Sequence, residues 1–123
     1  MTIKNKIDLE GVGPNSLKKG VMNHSLSAQI SIAFFNEALN QFKDKDYFEC
    51  IKSLNSAIKY NLINPTYYLF KAVVLGFALG ICDFAIEEID KALRLDPHSE
   101  KIIKLKKELL RLQFNNNIYN YFI

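Results

Sequence analysis

The side chains with the greatest chemical reactivity in this sequence are two histidines and two cysteines. His24 and His98 have no cysteine or carboxylate at metal-ligand spacing around them, so a surface or capping role is favoured for both. Cys50 and Cys82 fall inside apolar helical patterns, with no histidine near them in the sequence. Two cysteines are too few for a disulfide framework, and buried thiols are unreactive. These residues therefore predict neither a catalytic site nor a metal site.

Two further patterns could suggest chemistry, and both have a simpler explanation. The acidic run Glu87-Glu88, with Asp90, is typical of a solvated helix face. In residues 13–19, Leu17 and Lys19 occupy the places where a phosphate-binding loop needs Gly before its lysine and Ser or Thr after it. The sequence predicts no catalytic residue, no metal and no cofactor, and it favours a non-enzymatic protein.

The composition indicates one small folded domain. The chain has 123 residues, of which 49% are hydrophobic, and this proportion of apolar residues excludes global disorder. A formal net charge of +3 is too small to favour nucleic acid or an anionic membrane as a partner. The first residues contain no apolar signal-peptide core. We therefore expect a reduced, cytoplasmic protein.

Hydrophobic periodicity predicts an all-α fold. Apolar residues recur at three- and four-residue steps, which indicates amphipathic helices over residues 27–42, 48–59, 66–80, 84–95 and 100–114. The third segment, 66–80, is organised differently from the others. Its one charge is Lys71, and it is apolar on every side, so it predicts a central helix that must be covered all round.

The segments at the two ends of the chain do not follow the helical pattern. Residues 1–24 show no regular period and predict a flexible leader, so the helical domain is expected to cover 25–114. Asn115-Asn116-Asn117 is expected to end the last helix, leaving an aromatic tail at 115–123.

An internal repeat connects the four helices before residue 100. A shift of 35 residues places Leu69 on Phe34, Phe77 on Phe42, Ala85 on Cys50, Ile89 on Leu54 and Ala92 on Ala57. This near-34-residue period of helix–turn–helix units resembles the tetratricopeptide repeat. The resemblance is closest over residues 69–97, and the unit at 31–65 departs by one extra residue before Pro65. Both units lack the family's Trp and its Leu-Gly pair.

The resemblance implies an α-α superhelix of two hairpins, at 31–65 and 66–99, with a capping helix at 100–114. In this family the first helix of each unit lines a groove that binds a protein or peptide partner. Carried over by position, the partner-binding residues are Phe35, Leu39, Phe42, Tyr67, Phe70, Val74 and Phe77. A groove this apolar suits a partner's amphipathic helix or an extended apolar peptide.

Two alternatives stay open at the level of sequence. The apolar groove could be filled by the fifth helix, by the aromatic tail or by a second copy of the chain in a homodimer. The other alternative is a small accessory protein that contacts nucleic acid or an anionic membrane through the basic residues of the fifth helix, Lys101, Lys104, Lys106, Lys107 and Arg111. Glu100 and Glu108 interrupt that basic face, and a capping helix needs a polar face in any case.

Overall fold

The computed structural model describes residues 19–122, and within them the fold is all-α, as predicted. The helices are α1 (Lys19–Lys43), α2 (Tyr47–Tyr60), α3 (Pro65–Val73), α4 (Cys82–Leu95) and α5 (Glu100–Phe122). A π-helical turn, Val74–Ala78, continues α3. Successive helices pack as antiparallel hairpins, α1 with α2 and α3 with α4, and α5 lies along α4.

Local sequence signals explain where α3 and α5 begin. The Asn64 side chain accepts a hydrogen bond from the Thr66 backbone N–H, and Pro65 follows as the first helical residue. Ser99 does the same for α5, since its Oγ accepts from the backbone N–H of Ile102. Ser99 follows the break at Asp96-Pro97-His98, so the sequence predicts it as the N-cap of the fifth helix, and the hydrogen bond confirms that prediction.

The turns that close the two hairpins share one backbone feature. Lys45 and Gly80 lie 35 residues apart, and both adopt a positive φ, of 61° and 73°. The left-handed region costs an L-residue roughly 1–2 kcal/mol, whereas glycine enters it without a steric cost. The first hairpin therefore closes with a strained lysine where the second uses glycine.

This difference predicts opposite effects for two substitutions. Gly80→Ala should lower the free energy of unfolding by about 1 kcal/mol through backbone strain alone, because an added Cβ would have no atom within 4 Å. Lys45→Gly should raise it by about 0.5 kcal/mol, since relief of strain is partly offset by the greater entropy of glycine in the unfolded chain. Urea unfolding would measure both free energies. If the two substitutions changed the free energy of unfolding in the same direction, Lys45 would not be strained.

The core consists of two clusters that share the central helix. One lies between α3, α4 and α5, and its buried members are Tyr68, Ala72, Leu75, Ala85, Ile89, Ala92, Ile102 and Leu109. The other lies between α1, α2 and the π-helical turn, with Ala38, Cys50, Leu54 and Val74 buried. Because neighbouring helices contact it on both sides, the central helix is largely covered, as its apolar sequence requires.

The π-helical turn explains an irregularity in the repeat. The fully buried alanines Ala38 and Ala72 are 34 residues apart, whereas Cys50 and Ala85, further along the hairpins, are 35 apart. The extra residue must lie between Ala72 and Ala85, where the Leu79 backbone N–H donates to the Val74 carbonyl five residues earlier at 3.0 Å. A π-helical turn thus absorbs one residue without breaking the helix.

Gly76 lies in the middle of this turn and is required by packing. A Cβ at this position would collide with the δ-methyl group of Leu109 and would lie 3.1 Å from the Cβ of Ala85. The absence of a side chain therefore lets α5 and α4 approach the central helix closely.

Two predicted boundaries are wrong. α1 begins at Lys19 rather than near Ser27, so it includes the last residues of the predicted leader, whose residues 1–18 lie outside the described part of the chain. α5 runs on to Phe122 instead of ending at the asparagines. Asparagine has a low helix propensity, but tertiary contacts override it here. Gln113 donates to Asp83, and Asn116 donates to the sulfur of Cys82.

Candidate functional site

The inner helices α1 and α3 meet through a cluster of aromatic rings. The ring centroids of Phe35 and Phe70 lie 5.9 Å apart, and those of Phe42 and Phe70 lie 5.2 Å apart, both in edge-to-face geometry. Phe35 also approaches Tyr67, at 5.0 Å. All three phenylalanines are only partly buried. The rings therefore hold α1 beside α3 and remain partly exposed to solvent.

Tyr67 is anchored below these rings by a buried polar network. The hydroxyl of Ser31, which has no exposed surface, lies 3.1 Å from the Ala57 carbonyl and 2.9 Å from the Tyr67 hydroxyl. Since Ser31 has one proton to donate, the geometry fits donation from Ser31 to Ala57 and from Tyr67 to Ser31. Three helices are joined at this point. The sequence analysis did not identify Ser31. Its position one helical turn before the aromatic residues of α1 was the feature that could have indicated a buried polar contact there.

Three large apolar side chains beside the rings are exposed. Ile32 is 54% exposed, Leu39 37% and Phe77 48%, all with α5 in place. Ile32 and Leu39 each lie within four residues of Phe35 on α1, and Phe77 follows Phe70 by seven residues in the central helix. Within the described residues, α5 does not cover these three side chains.

The structure divides the seven predicted partner-binding residues into three groups. Leu39 and Phe77 are exposed, and Phe35, Phe42 and Phe70 are half-buried. Tyr67 is 3% exposed and Val74 is fully buried. These two have no surface to offer a partner and belong to the core, because the central helix turns them towards α1 and α2. Ile32, which the same positional correspondence assigns to the groove, is exposed and adds to the accessible surface.

A buried ion pair connects α3 to α4, contrary to the prediction for the acidic run. Glu88 is 6% exposed rather than solvated. Its Oε1 lies 3.6 Å from Nζ of Lys71, and its Oε2 lies 3.0 Å from Nζ of Lys91. Oε1 accepts no hydrogen bond within the described residues, so its charge depends on Lys71. Lys71, the one charged residue of the central helix, is thus paired with a carboxylate of α4.

The cysteines have the character of core thiols. Burial, reinforced by the nearby charge of Asp46, raises the pKa of Cys50 to about 11. Burial and Asp83 also raise the pKa of Cys82, against a smaller opposing effect of the hydrogen bond from Asn116. Neither thiol is activated as a nucleophile. Within residues 19–122, no three His, Cys, Asp or Glu side chains come together as metal ligands.

The basic face of α5 is partly neutralised. Lys106 pairs with Asp90 of α4 at 2.7 Å, and Arg111 pairs with Glu108 at 2.6 Å. Lys101, Lys104 and Lys107 are exposed. Two of the five cations are therefore engaged within the protein.

Comparison with known proteins gives no family assignment. No protein-family model matches the chain, and no curated protein matches it. Among the described residues, none of the helices combines the length and the apolar character needed to cross a membrane. The function is therefore inferred from the surface itself.

Proposed function

We propose that this protein is a non-enzymatic protein–protein interaction adaptor. The surface formed by α1 and α3 would receive an apolar peptide or the apolar face of a partner's amphipathic helix. The observation that carries the proposal is the exposure of Ile32, Leu39 and Phe77 beside half-buried aromatic rings. Large exposed apolar side chains grouped on one part of a folded domain typically mark an interaction site, and these three lie on the two inner helices that carry the rings.

The repeat architecture supports the same proposal. Two hairpins with small, buried residues where the helices cross, followed by a single helix, are what a short tetratricopeptide-like array would contain. Such arrays use the inner helices for binding and the outer helices for support. Two free cysteines also fit a reducing compartment such as the cytoplasm.

The exposed side chains favour a partner that presents the apolar face of a helix over a partner that presents charged groups. These side chains are aliphatic or aromatic, and the half-buried rings beneath them are fixed by one another. A preformed apolar surface of this kind binds side chains spaced at i, i+3, i+4 and i+7 of an incoming helix. The affinity should therefore come mainly from apolar burial and depend weakly on salt.

The proposal can be tested with defined peptides. A display selection of helical peptides of about 15 residues against the folded protein should enrich sequences with one apolar face. These peptides should bind Phe77→Asp at least tenfold more weakly than the wild type, because the substitution places a charge where an apolar contact forms. Calorimetry or fluorescence anisotropy would give the dissociation constants.

Phe48→Asp is the matched control. Phe48 is 71% exposed and lies on the outer helix α2, so its substitution should leave peptide affinity unchanged. Equal binding to wild type and Phe77→Asp would refute the proposed surface. If the selection instead yielded acidic peptides whose affinity fell steeply with salt, the basic face of α5 would be the binding surface, which would favour the alternative of a protein that contacts nucleic acid or an anionic membrane.

A further inference from the structure

α5 repeats the geometry of α3. Their N-caps, Asn64 and Ser99, are 35 residues apart, and so are the buried residues Tyr67 and Ile102. Val74 and Leu109, both fully buried, keep the same spacing. α5 therefore contacts the second hairpin as α3 contacts the first.

This equivalence identifies a face of α5 that lacks a cover. α3 presents Tyr68 and Leu75 to α4, which buries both. The corresponding residues of α5 are Ile103 and Leu110, and they are 37% and 44% exposed, since the described chain supplies no sixth helix. A capping helix is expected to have a polar outer face, and Lys107, at the position of Ala72, fits that expectation, but Ile103 and Leu110 do not.

Exposed apolar side chains continue this face towards the end of the helix. Its members recur at three-, four- and seven-residue steps and form one apolar stripe: Ile103, Leu110, Phe114, Ile118 and Tyr121. Beyond Asn116, which contacts the first residue of α4, the helix extends by six residues, or about 9 Å. A short helical extension in which two of six residues are asparagine has little stability of its own, so packing on this stripe would stabilise it.

We propose that the α5 stripe is a homodimer interface that packs against the same stripe of a second copy, antiparallel about a two-fold axis near Phe114. The distribution of charges along α5 favours antiparallel over parallel pairing. Residues 112–122 carry no charge, so the axis places Leu110 opposite Ile118 and Lys107 opposite Tyr121 of the second copy. No cation then faces a cation, whereas a parallel pair would bring Lys107 against Lys107.

The area fits a weak dimer. Side chains of this size present roughly 200 Å² each, so the exposed fractions of the four residues that can pair across the axis, Leu110, Phe114, Ile118 and Tyr121, leave on the order of 450 Å² per chain. Two copies would bury about 900 Å², which is in the range of weak, transient interfaces. Because a two-fold contact pairs the patch with itself, one apolar stripe supplies both sides.

Sedimentation equilibrium of the full chain between about 1 and 200 μM provides the test. The wild type should dimerise within this range, and Phe114→Asp should weaken dimerisation at least 100-fold, because two charges would meet at the axis. Tyr119→Asp is the matched control, since Tyr119 is an aromatic residue of the same helical end, 68% exposed but on the opposite face. It should dimerise like the wild type. Circular dichroism should show that both variants stay folded, with any loss of helicity in Phe114→Asp limited to the last turns of α5.

Several outcomes would overturn the proposal. A wild type that stays monomeric at 200 μM would exclude the second copy as the occupant. A dimer that survives Phe114→Asp, or one that Tyr119→Asp disrupts equally, would place the interface elsewhere. Phe77→Asp should leave the dimer intact, so failure of the dimer and failure of the peptide-binding surface are distinguishable.

Discussion

Phe70→Asp is expected to lower the free energy of unfolding by about 3–5 kcal/mol. The ring of Phe70 contacts Phe35 and Phe42 of α1, and it packs against the cluster that includes Val74 and Cys50. The substitution would remove these contacts and place a carboxylate without a partner between α1 and α3. Urea unfolding followed by circular dichroism would measure the change.

Phe48→Asp again serves as the control, because the Phe48 side chain is largely in solvent and should change stability by less than about 0.5 kcal/mol. If Phe70→Asp were as stable as this control, Phe70 would contribute to a binding surface and not to the core. The comparison therefore decides whether the aromatic rings are structural support for the adjoining exposed residues.

Lys71→Met is expected to destabilise the protein by about 3 kcal/mol. The substitution leaves the buried Glu88 carboxylate with Lys91 alone, and loss of one partner from a buried ion pair typically costs 3–5 kcal/mol. The low end of that range applies because Lys91 remains 3.0 Å from Oε2. Chemical unfolding at pH 7 would measure the loss.

A double-substitution cycle separates the ion pair from simple packing. Lys71→Met combined with Glu88→Leu should recover most of the stability, since no uncompensated charge is left at the α3–α4 interface. Strictly additive losses in the double variant would show that Lys71 and Glu88 do not interact. Glu87→Leu, next to Glu88 but exposed, should leave the effect of Lys71→Met unchanged.

Periodicity in the sequence was sufficient to predict five helices and the repeat between the hairpins, because burial of an amphipathic helix requires apolar residues at regular steps. It also identified the Ser99 cap, which acts through residues close in sequence. The aromatic positions Phe35, Phe42 and Phe70 were found from the resemblance to a repeat family. The sequence did not predict which of the groove positions are exposed and which are buried.

Tertiary contacts decided the remaining features. The π-helical turn at Val74–Ala78 depends on fitting one extra residue between neighbouring helices, which periodicity does not encode. Glu88 has the same sequence environment as Glu87, and only the position of Lys71 on the adjacent helix makes one buried and the other exposed. The helix continues through the three asparagines because contacts to α4 outweigh their low propensity. In each case a long-range interaction overrides a weak local preference, and a single sequence records only the preference.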